Sequence, residues 1–155
     1  MSSGETQLEV RGVLLPLQSG QLLLPNISVS EVVGYGEPEE VPKGAPDWLL
    51  GVMSWRHYRV PLVAFESLLG MPEKEIGHRA RIALCNTINQ ASTLPYTGFL
   101  LRTIPRLVRV TEGVIVPLDE QDASPMVIRH VMVNDQEAWI PDLDALEQAL
   151  VNILG

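Results

Sequence analysis

Proline and glycine divide this sequence into short apolar runs, and that division limits the possible folds more than any other feature. The chain of 155 residues contains twelve of each. The runs between them are mostly five to eight residues long and rich in Val, Ile and Leu, which is typical of short β-strands. In the first half, GVLLPL and QLLLP flank a Gln18-Ser19-Gly20 turn, so they are predicted to form a hairpin.

The same pattern continues to the end of the chain. Two further apolar runs flank His57 and Tyr58 between residues 49 and 63. The second half contains the strand-like segments ARIALCN, GFLLRTI, RLVRV, MVIRHVMV and EAWIP, with Asn134-Asp135 as a tight turn between the last two. We therefore expect a mainly β protein with about five strands in each half.

Short helices are predicted at three places. Ser28 and Glu31 have the spacing of a capping box, which predicts a helical turn that ends at Gly34. The segment ESLLG is long enough only for a capped turn that ends at Gly70. The tail PDLDALEQALVNIL has helical periodicity, with an apolar stripe formed by Leu143, Leu146, Leu150 and Ile153 and with acidic residues near its N-terminal end.

The composition indicates a soluble domain whose partner is a protein. Apolar residues make up 46% of the chain and charged residues 19%, and no run approaches the roughly 18 apolar residues of a membrane-spanning helix. The net charge of -8 opposes binding to DNA, RNA or anionic lipid. Because the N-terminus lacks the pattern of an export signal and Cys85 has no disulfide partner within the chain, we expect a cytoplasmic location.

No pattern of residues indicates catalysis, a metal or a cofactor. Cys85 lies within the apolar run IALCN, where a small buried side chain is the ordinary role of cysteine. His57, His78 and His130 are far apart, and none has a second His or Cys within a few residues. The chain also lacks G-x-G-x-x-G and G-x-x-x-x-G-K-[ST], the glycine-rich motifs that bind phosphate. We predict a non-enzymatic protein without a cofactor.

The segment GVMSWRHYRVPL is the strongest candidate for a binding surface. If Trp55 is buried, strand alternation predicts that Arg56 faces outward at the end of a hairpin. Arg beside Trp and Tyr is the mixture found at interface hot spots, which favours contact with a protein. Two other interpretations remain open. One is a small β-barrel nucleic-acid-binding module that stacks bases on Trp55, His57 and Tyr58, and the other is an enzyme built around Cys85 and a histidine.

The order and spacing of several motifs resemble those of the CheW-like domain, the adaptor fold of bacterial chemosensory arrays. The motifs are GQLLLP followed by ISVSEVV, APDWLLGVMSWR with VPLV behind it, IALCN, GFLLRTIPRLVRVTEGV and EAWIPDLDALEQAL. The resemblance extends from Val10 to Leu154. It implies two five-stranded, SH3-like β-barrel subdomains that share a hydrophobic core, with a C-terminal α-helix. We assign residues 8–155 to this single domain, with subdomains that divide near residues 70–80, and residues 1–7 to a flexible N-terminus.

The resemblance also implies a non-enzymatic adaptor. The expected partners are the regulatory domain of a chemotaxis-type histidine kinase and the cytoplasmic tip of a methyl-accepting chemoreceptor. The expected location is the cytoplasm, at membrane-associated receptor arrays. Val29, Glu31 and Arg56 match positions that the family uses for partner contact or for holding that surface in shape, and an ion pair between Glu31 and Arg56 is expected. The full predicted partner surface is Val29, Glu31, Val32, Arg56, His57 and Tyr58.

Two positions depart from the family pattern. His57 stands where the family usually has Gly, and Ala64-Phe65 stands where it usually has Asp-Leu. A His side chain fills space at a turn, and loss of the acid removes a hydrogen-bond acceptor. We therefore expect a divergent member with its own partner specificity, in a system such as the chemosensory control of type IV pilus (twitching) motility.

Overall fold

β-Strands are the main secondary structure of the described chain. The computed structural model describes residues 10–88, 94–110, 115–118 and 124–154, so the prediction for residues 1–7 lies outside the described residues. Within these ranges the strands are β1 (Val10–Pro16), β2 (Gln21–Pro25), β3 (Val29–Gly34), β4 (Leu49–Trp55), β5 (Tyr58–Val63), β6 (Arg81–Asn86), β7 (Tyr96–Leu101), β8 (Arg106–Val110), β9 (Ile115–Pro117), β10 (Val127–Val133) and β11 (Gln136–Pro141). The helical segments are a 3-10 turn (Asn26–Ser28), α1 (Phe65–Leu68) and α2 (Leu143–Leu154).

The strands form two sheets. Sheet one has the order β8-β1-β2-β11-β10-β9, and sheet two has the order β3-β6-β7-β5-β4. Sheet one therefore combines the first two strands of the chain with the last four, whereas the strands of sheet two lie together in the sequence between residues 29 and 101. Residues 70–80 fall between β5 and β6 of sheet two, and the predicted division of the subdomains there stays a prediction.

A shared hydrophobic core lies where the two sheets and α2 meet. Sheet one contributes Leu15 and Leu22, sheet two contributes Phe99, and α2 contributes Leu146 and Leu150, all of them fully buried. The alternate residues of the same strands point to the other face of each sheet, where they form smaller cores within a single sheet. Sheet one encloses Leu14, Leu23, Val110, Val131, Val133 and Ala138, and sheet two encloses Val60, Leu62, Ile82 and Leu84. The mainly β fold with a C-terminal helix is as the sequence predicts.

The helical turn predicted from Ser28 and Glu31 is wrong. The 3-10 turn lies earlier, and Val29–Gly34 forms β3, which pairs antiparallel with β6. The run VSEVVG contains three β-branched valines, which favour an extended backbone, and pairing with the buried β6 outweighs the local capping pattern. The ESLLG prediction is correct, because α1 is followed by Gly70 at φ 81°.

The C-terminal helix α2 begins at an aspartate cap. The Asp142 Oδ1 accepts a hydrogen bond from the Ala145 N–H at 3.0 Å. The buried stripe ends differently from the prediction, because Ile153 is exposed and Leu154 packs on the shared core instead. Among the described residues, no helix is both long enough and apolar enough to cross a membrane.

Candidate functional site

The β4–β5 hairpin ends in a two-residue turn made by Arg56 and His57. Both residues have positive φ angles, 50° for Arg56 and 69° for His57. This is the backbone of a type I′ turn, whose twist matches that of the flanking strands but which favours Asn and Gly at its two central positions. Trp55 and Tyr58 face each other across the last pair of the hairpin. We call residues 55–58 the hairpin tip.

Three aromatic rings support the hairpin tip. The centre of the Trp55 ring lies 4.8 Å from that of Tyr96, and the Tyr58 ring centre lies 5.4 Å from it, both in edge-to-face arrangements. Trp55 and Tyr96 also pack against the core of sheet two. The sequence did not indicate Tyr96, which is the first residue of β7 and becomes a neighbour of the tip only through the parallel pairing of β5 with β7.

Arg56 is held in place by two neighbours although its side chain is 66% exposed. Its guanidinium carbon lies 4.6 Å from the centre of the Trp55 ring, a cation–π contact. Its Nη2 donates a hydrogen bond to the Glu31 Oε1 at 3.0 Å. The expected ion pair is therefore present, and it joins the hairpin tip to the opposite edge strand of sheet two.

The six residues of the predicted partner surface do not all face the same way. Val29 and Val32 are half-buried and pack on the shared core. A bulge between Val29 and Glu31 changes the register, so that the Glu31 carboxylate reaches Arg56. His57 and Tyr58 are exposed beside Arg56. The structure thus brings Glu31, Arg56, His57 and Tyr58 together at one end of sheet two and places the two valines beneath that end.

The other chemical interpretations find little support in the geometry. Burial raises the pKa of the Cys85 thiol to about 12, which leaves almost no thiolate at neutral pH. The described residues contain no group of three or more His, Cys, Asp or Glu side chains that could hold a metal ion. Base stacking is also disfavoured, because the Trp55 ring is covered by Arg56 and Tyr96. The His130 ring stacks on the Trp139 ring, with 4.9 Å between the ring centres, which is consistent with a structural role.

The comparisons with known proteins agree with the fold. The family model described as the CheW-like domain matches residues 11–150. The chain belongs to the CheW-like domain family. This membership supports a scaffold or adaptor role in chemotaxis signalling.

A solved structure with the same fold is the scaffolding protein TtCheW from Thermoanaerobacter tengcongensis. The TM-score is 0.72 at 17% sequence identity, over 89% of this chain and 87% of that chain. A comparison with curated protein sequences finds no match. The prediction of two SH3-like β-barrel subdomains is confirmed, with the difference that sheet one of this CheW-like domain has a sixth strand, since the three-residue β9 was not predicted.

Ala64 leaves α1 of this CheW-like domain without a side-chain cap. Ala64 occupies the N-cap position, is buried, and has no side-chain hydrogen bond to the helix. An aspartate at this position would supply such an acceptor. In this chain a carboxylate lies two residues later, at Glu66, which is only 2% exposed.

Glu66 is the centre of a buried polar cluster. The Arg102 Nε donates to its Oε1 at 3.1 Å, the Arg102 Nη2 donates to its Oε2, and the Gln18 backbone N–H donates to its Oε1 at 3.2 Å. Burial raises the pKa of the Glu66 carboxyl, but the hydrogen bonds and charge of Arg102 and the hydrogen bonds of Gln18 outweigh it and hold that pKa below its ordinary value. Because Gln18 follows β1 and Glu66 lies in α1, the cluster ties sheet one to sheet two.

Proposed function

We propose that this CheW-like domain is a non-enzymatic adaptor that couples a chemoreceptor to a chemotaxis-type histidine kinase. In this role it binds the regulatory domain of the kinase and the cytoplasmic tip of the receptor, in the cytoplasm at a receptor array. Family membership supports the adaptor role, and so does the likeness to a protein described as a scaffold.

The observation that carries the proposal is the fixed position of an exposed arginine at the hairpin tip. Ordering a long side chain on binding costs about 0.5–1.5 kcal/mol. Trp55 and Glu31 already hold the Arg56 guanidinium in the free protein, which reduces that cost. The exposed Tyr58 ring lies on the same tip and adds apolar area beside the charge. An arginine ordered next to aromatic rings is a favourable anchor for a protein interface.

The test is a titration calorimetry measurement of the full chain against the kinase regulatory domain and, separately, against the receptor tip. Arg56→Glu removes the cation–π contact and places a second carboxylate beside Glu31. We expect it to weaken binding at least tenfold, or about 1.4 kcal/mol. Its melting temperature should stay within a few degrees of the parent's, since exposed ion pairs contribute about 0–1 kcal/mol.

Arg59→Glu is the matched control. Arg59 lies on the same hairpin, and its Nη2 pairs with Glu40 at 3.3 Å, with side chains 60% and 59% exposed. Because Arg59 pairs with Glu40 and not with Glu31, we expect binding to change by less than about threefold, within 0.7 kcal/mol. Equal losses for the two substitutions would show a general charge effect, and no binding of the parent to either partner at high micromolar concentration would refute the adaptor proposal.

We infer further that the protein serves a specialised chemosensory system, such as one that controls type IV pilus motility. The departures at His57 and Ala64 support this assignment, because they lie at the two ends of β5, one in the exposed hairpin turn and the other at the buried start of α1. The test is a pull-down from the native cytoplasm, with Arg56→Glu as the control bait. Capture of only a standard flagellar kinase and its receptors would contradict it.

A further inference from the structure

A short segment of the chain crosses the outer side of β4, which is an edge strand of sheet two. This segment, residues 37–42, forms a single β-bridge with Val52 and is called the strap below. The Val52 carbonyl oxygen accepts hydrogen bonds from the Glu39 N–H at 2.9 Å and the Glu40 N–H at 3.2 Å. The Val52 N–H donates to the Glu40 carbonyl oxygen at 2.7 Å. The strap therefore satisfies both backbone groups of Val52.

Without the strap, these backbone groups would be exposed at the sheet edge. Val52 lies opposite Pro61 of β5, which has no N–H to donate, so the Val52 groups point away from β5. Exposed groups of this kind are a template for pairing with another chain. The sequence of β4, LLGVMSW, strengthens that tendency because it is largely apolar and contains neither a charge nor a proline.

Gly51 provides the space in which the strap lies. Its φ is 151°, and a Cβ at this position would lie 2.5 Å from the Glu40 carbonyl oxygen and 2.6 Å from the Pro38 Cβ. Any side chain at residue 51 would therefore force the strap away from β4. The exposed ion pair between Arg59 and Glu40 adds a second, weaker attachment. The position of the strap thus depends chiefly on this glycine.

The composition of the strap opposes further pairing on its own outer side. Pro38 and Pro42 have no N–H, and the side chains of Glu37, Glu39 and Glu40 are exposed. Prolines and charges at a sheet edge are devices that prevent edge-to-edge association. The strap therefore replaces an uncharged edge that can pair with one that cannot.

We infer that the strap is an edge guard, which occupies within one chain the backbone groups of β4 that would otherwise pair with β4 of a second copy. A second copy is the occupant that the strand itself favours, because two identical uncharged strands meet without charge repulsion. Related by a two-fold axis, they would pair antiparallel in a closed dimer. This inference does not depend on the proposed adaptor function.

Gly51→Ala tests the inference by displacing the strap. Exchange of the Val52 amide hydrogen should become at least about tenfold faster, because its hydrogen bond to Glu40 is lost. Sedimentation velocity should show a shift from monomer toward dimer relative to the parent. Gly36→Ala is the matched control, since a Cβ there meets nothing within 4 Å, and it should change neither measurement.

Two further variants separate loss of the guard from damage to the barrel. Glu39→Pro combined with Glu40→Pro removes both N–H groups that bind the Val52 carbonyl oxygen and leaves β4 itself unchanged, so it should produce the same dimer. Ser54→Lys places a charge on the exposed edge of β4 beside Val52. Added to Gly51→Ala, it should restore the monomer.

Three results would overturn the inference. Fast exchange at Val52 in a protein that stays monomeric would show that the bare edge does not pair. Association that persists after Ser54→Lys is added would assign it to general misfolding or to another surface. A monomer that gains affinity for the kinase regulatory domain when the strap is displaced would assign the edge to that partner instead of a second copy.

Discussion

Arg102→Met is expected to destabilise the protein more than the loss of any exposed ion pair. The substitution keeps an apolar stem of similar length but leaves the Glu66 carboxylate, 2% exposed, without its charged partner. Among the described residues, the Gln18 hydrogen bonds to that carboxylate are the ones that remain. Removing one partner of a buried ion pair costs about 3–5 kcal/mol. In a domain of this size that corresponds to a fall in melting temperature of roughly 6–20 °C.

Glu66→Gln should cost less than Arg102→Met. The Gln side-chain oxygen can still accept from Gln18, and the Arg102 guanidinium is 14% exposed and keeps the carbonyl oxygens of Lys74 and Glu75 as acceptors. Loss of one charge-assisted contact with the remaining groups satisfied costs about 1.5–3 kcal/mol. A larger loss of stability in Arg102→Met than in Glu66→Gln would therefore show that the unpaired Glu66 carboxylate is more costly than the unpaired Arg102 guanidinium.

The effect of Glu66→Gln should also depend on pH. The folded-state pKa of Glu66 is lowered from its ordinary value of 4.5. A lowered pKa stabilises the folded protein fully above the unfolded-state pKa, and this contribution is lost as the pH falls through the folded-state value. The stability difference between the parent and Glu66→Gln should therefore be constant above pH 6 and shrink as the pH falls below about 4.5.

Urea unfolding followed by circular dichroism, with an unchanged m-value, measures these differences. Arg59→Met is the control, because it breaks an exposed pair and should cost less than 1 kcal/mol. Equal losses for Arg102→Met and Arg59→Met would refute the assignment of a buried, stabilising pair. A parent-to-Glu66→Gln difference that does not shrink in acid would refute the stated direction of the pKa shift.

Three further predictions concern the glycine turn, the thiol and the helix cap. Gly20→Ala should cost about 2–4 kcal/mol in urea unfolding, because φ at Gly20 is 70° and a Cβ there would overlap the Trp139 ring; a loss below 0.5 kcal/mol would contradict this. The native Cys85 thiol should react with a disulfide reagent at least about 100-fold more slowly than the unfolded chain, because only the thiolate reacts; rapid labelling of the native protein would contradict its burial. Asp142→Ala should lower the free energy of unfolding by about 1 kcal/mol through loss of the bond to the Ala145 N–H, with Asp142→Asn largely retaining it; an unchanged stability would show that the cap contributes nothing.

Strand positions were predictable where the local pattern and the tertiary structure agree. The second-half segments and the Asn134-Asp135 turn follow directly from short apolar runs bounded by turn residues. The strand at Val29–Gly34 could not be predicted, because the residues from Ser28 to Gly34 fit both a helix-capping pattern and a β-strand pattern. Pairing with β6 decides between the two. The short β9 has too few residues to give a periodic signal.

The candidate site was predictable only in part. Arg56 and Glu31 were identified from family motifs, and the structure brings them together as expected. Tyr96 was missed because its proximity to the tip depends on parallel pairing between distant strands. Glu66 and Arg102 were missed because they are 36 residues apart, and each alone has the appearance of an ordinary surface charge.

The arrangement of sheet one has a consequence for the order in which this protein folds. The strands of sheet two are contiguous in the chain, so all of them are synthesised before β8. Strands β1 and β2 are synthesised first, but their neighbour β11 comes more than a hundred residues later, and its parallel contact pairs Ala138 with Gln21. Pairing over such a sequence separation is slow. The N-terminal hairpin, with Leu22 and Leu24 among its core residues, must therefore stay incompletely covered through most of synthesis, and completion of α2 marks the earliest moment at which the whole core can close.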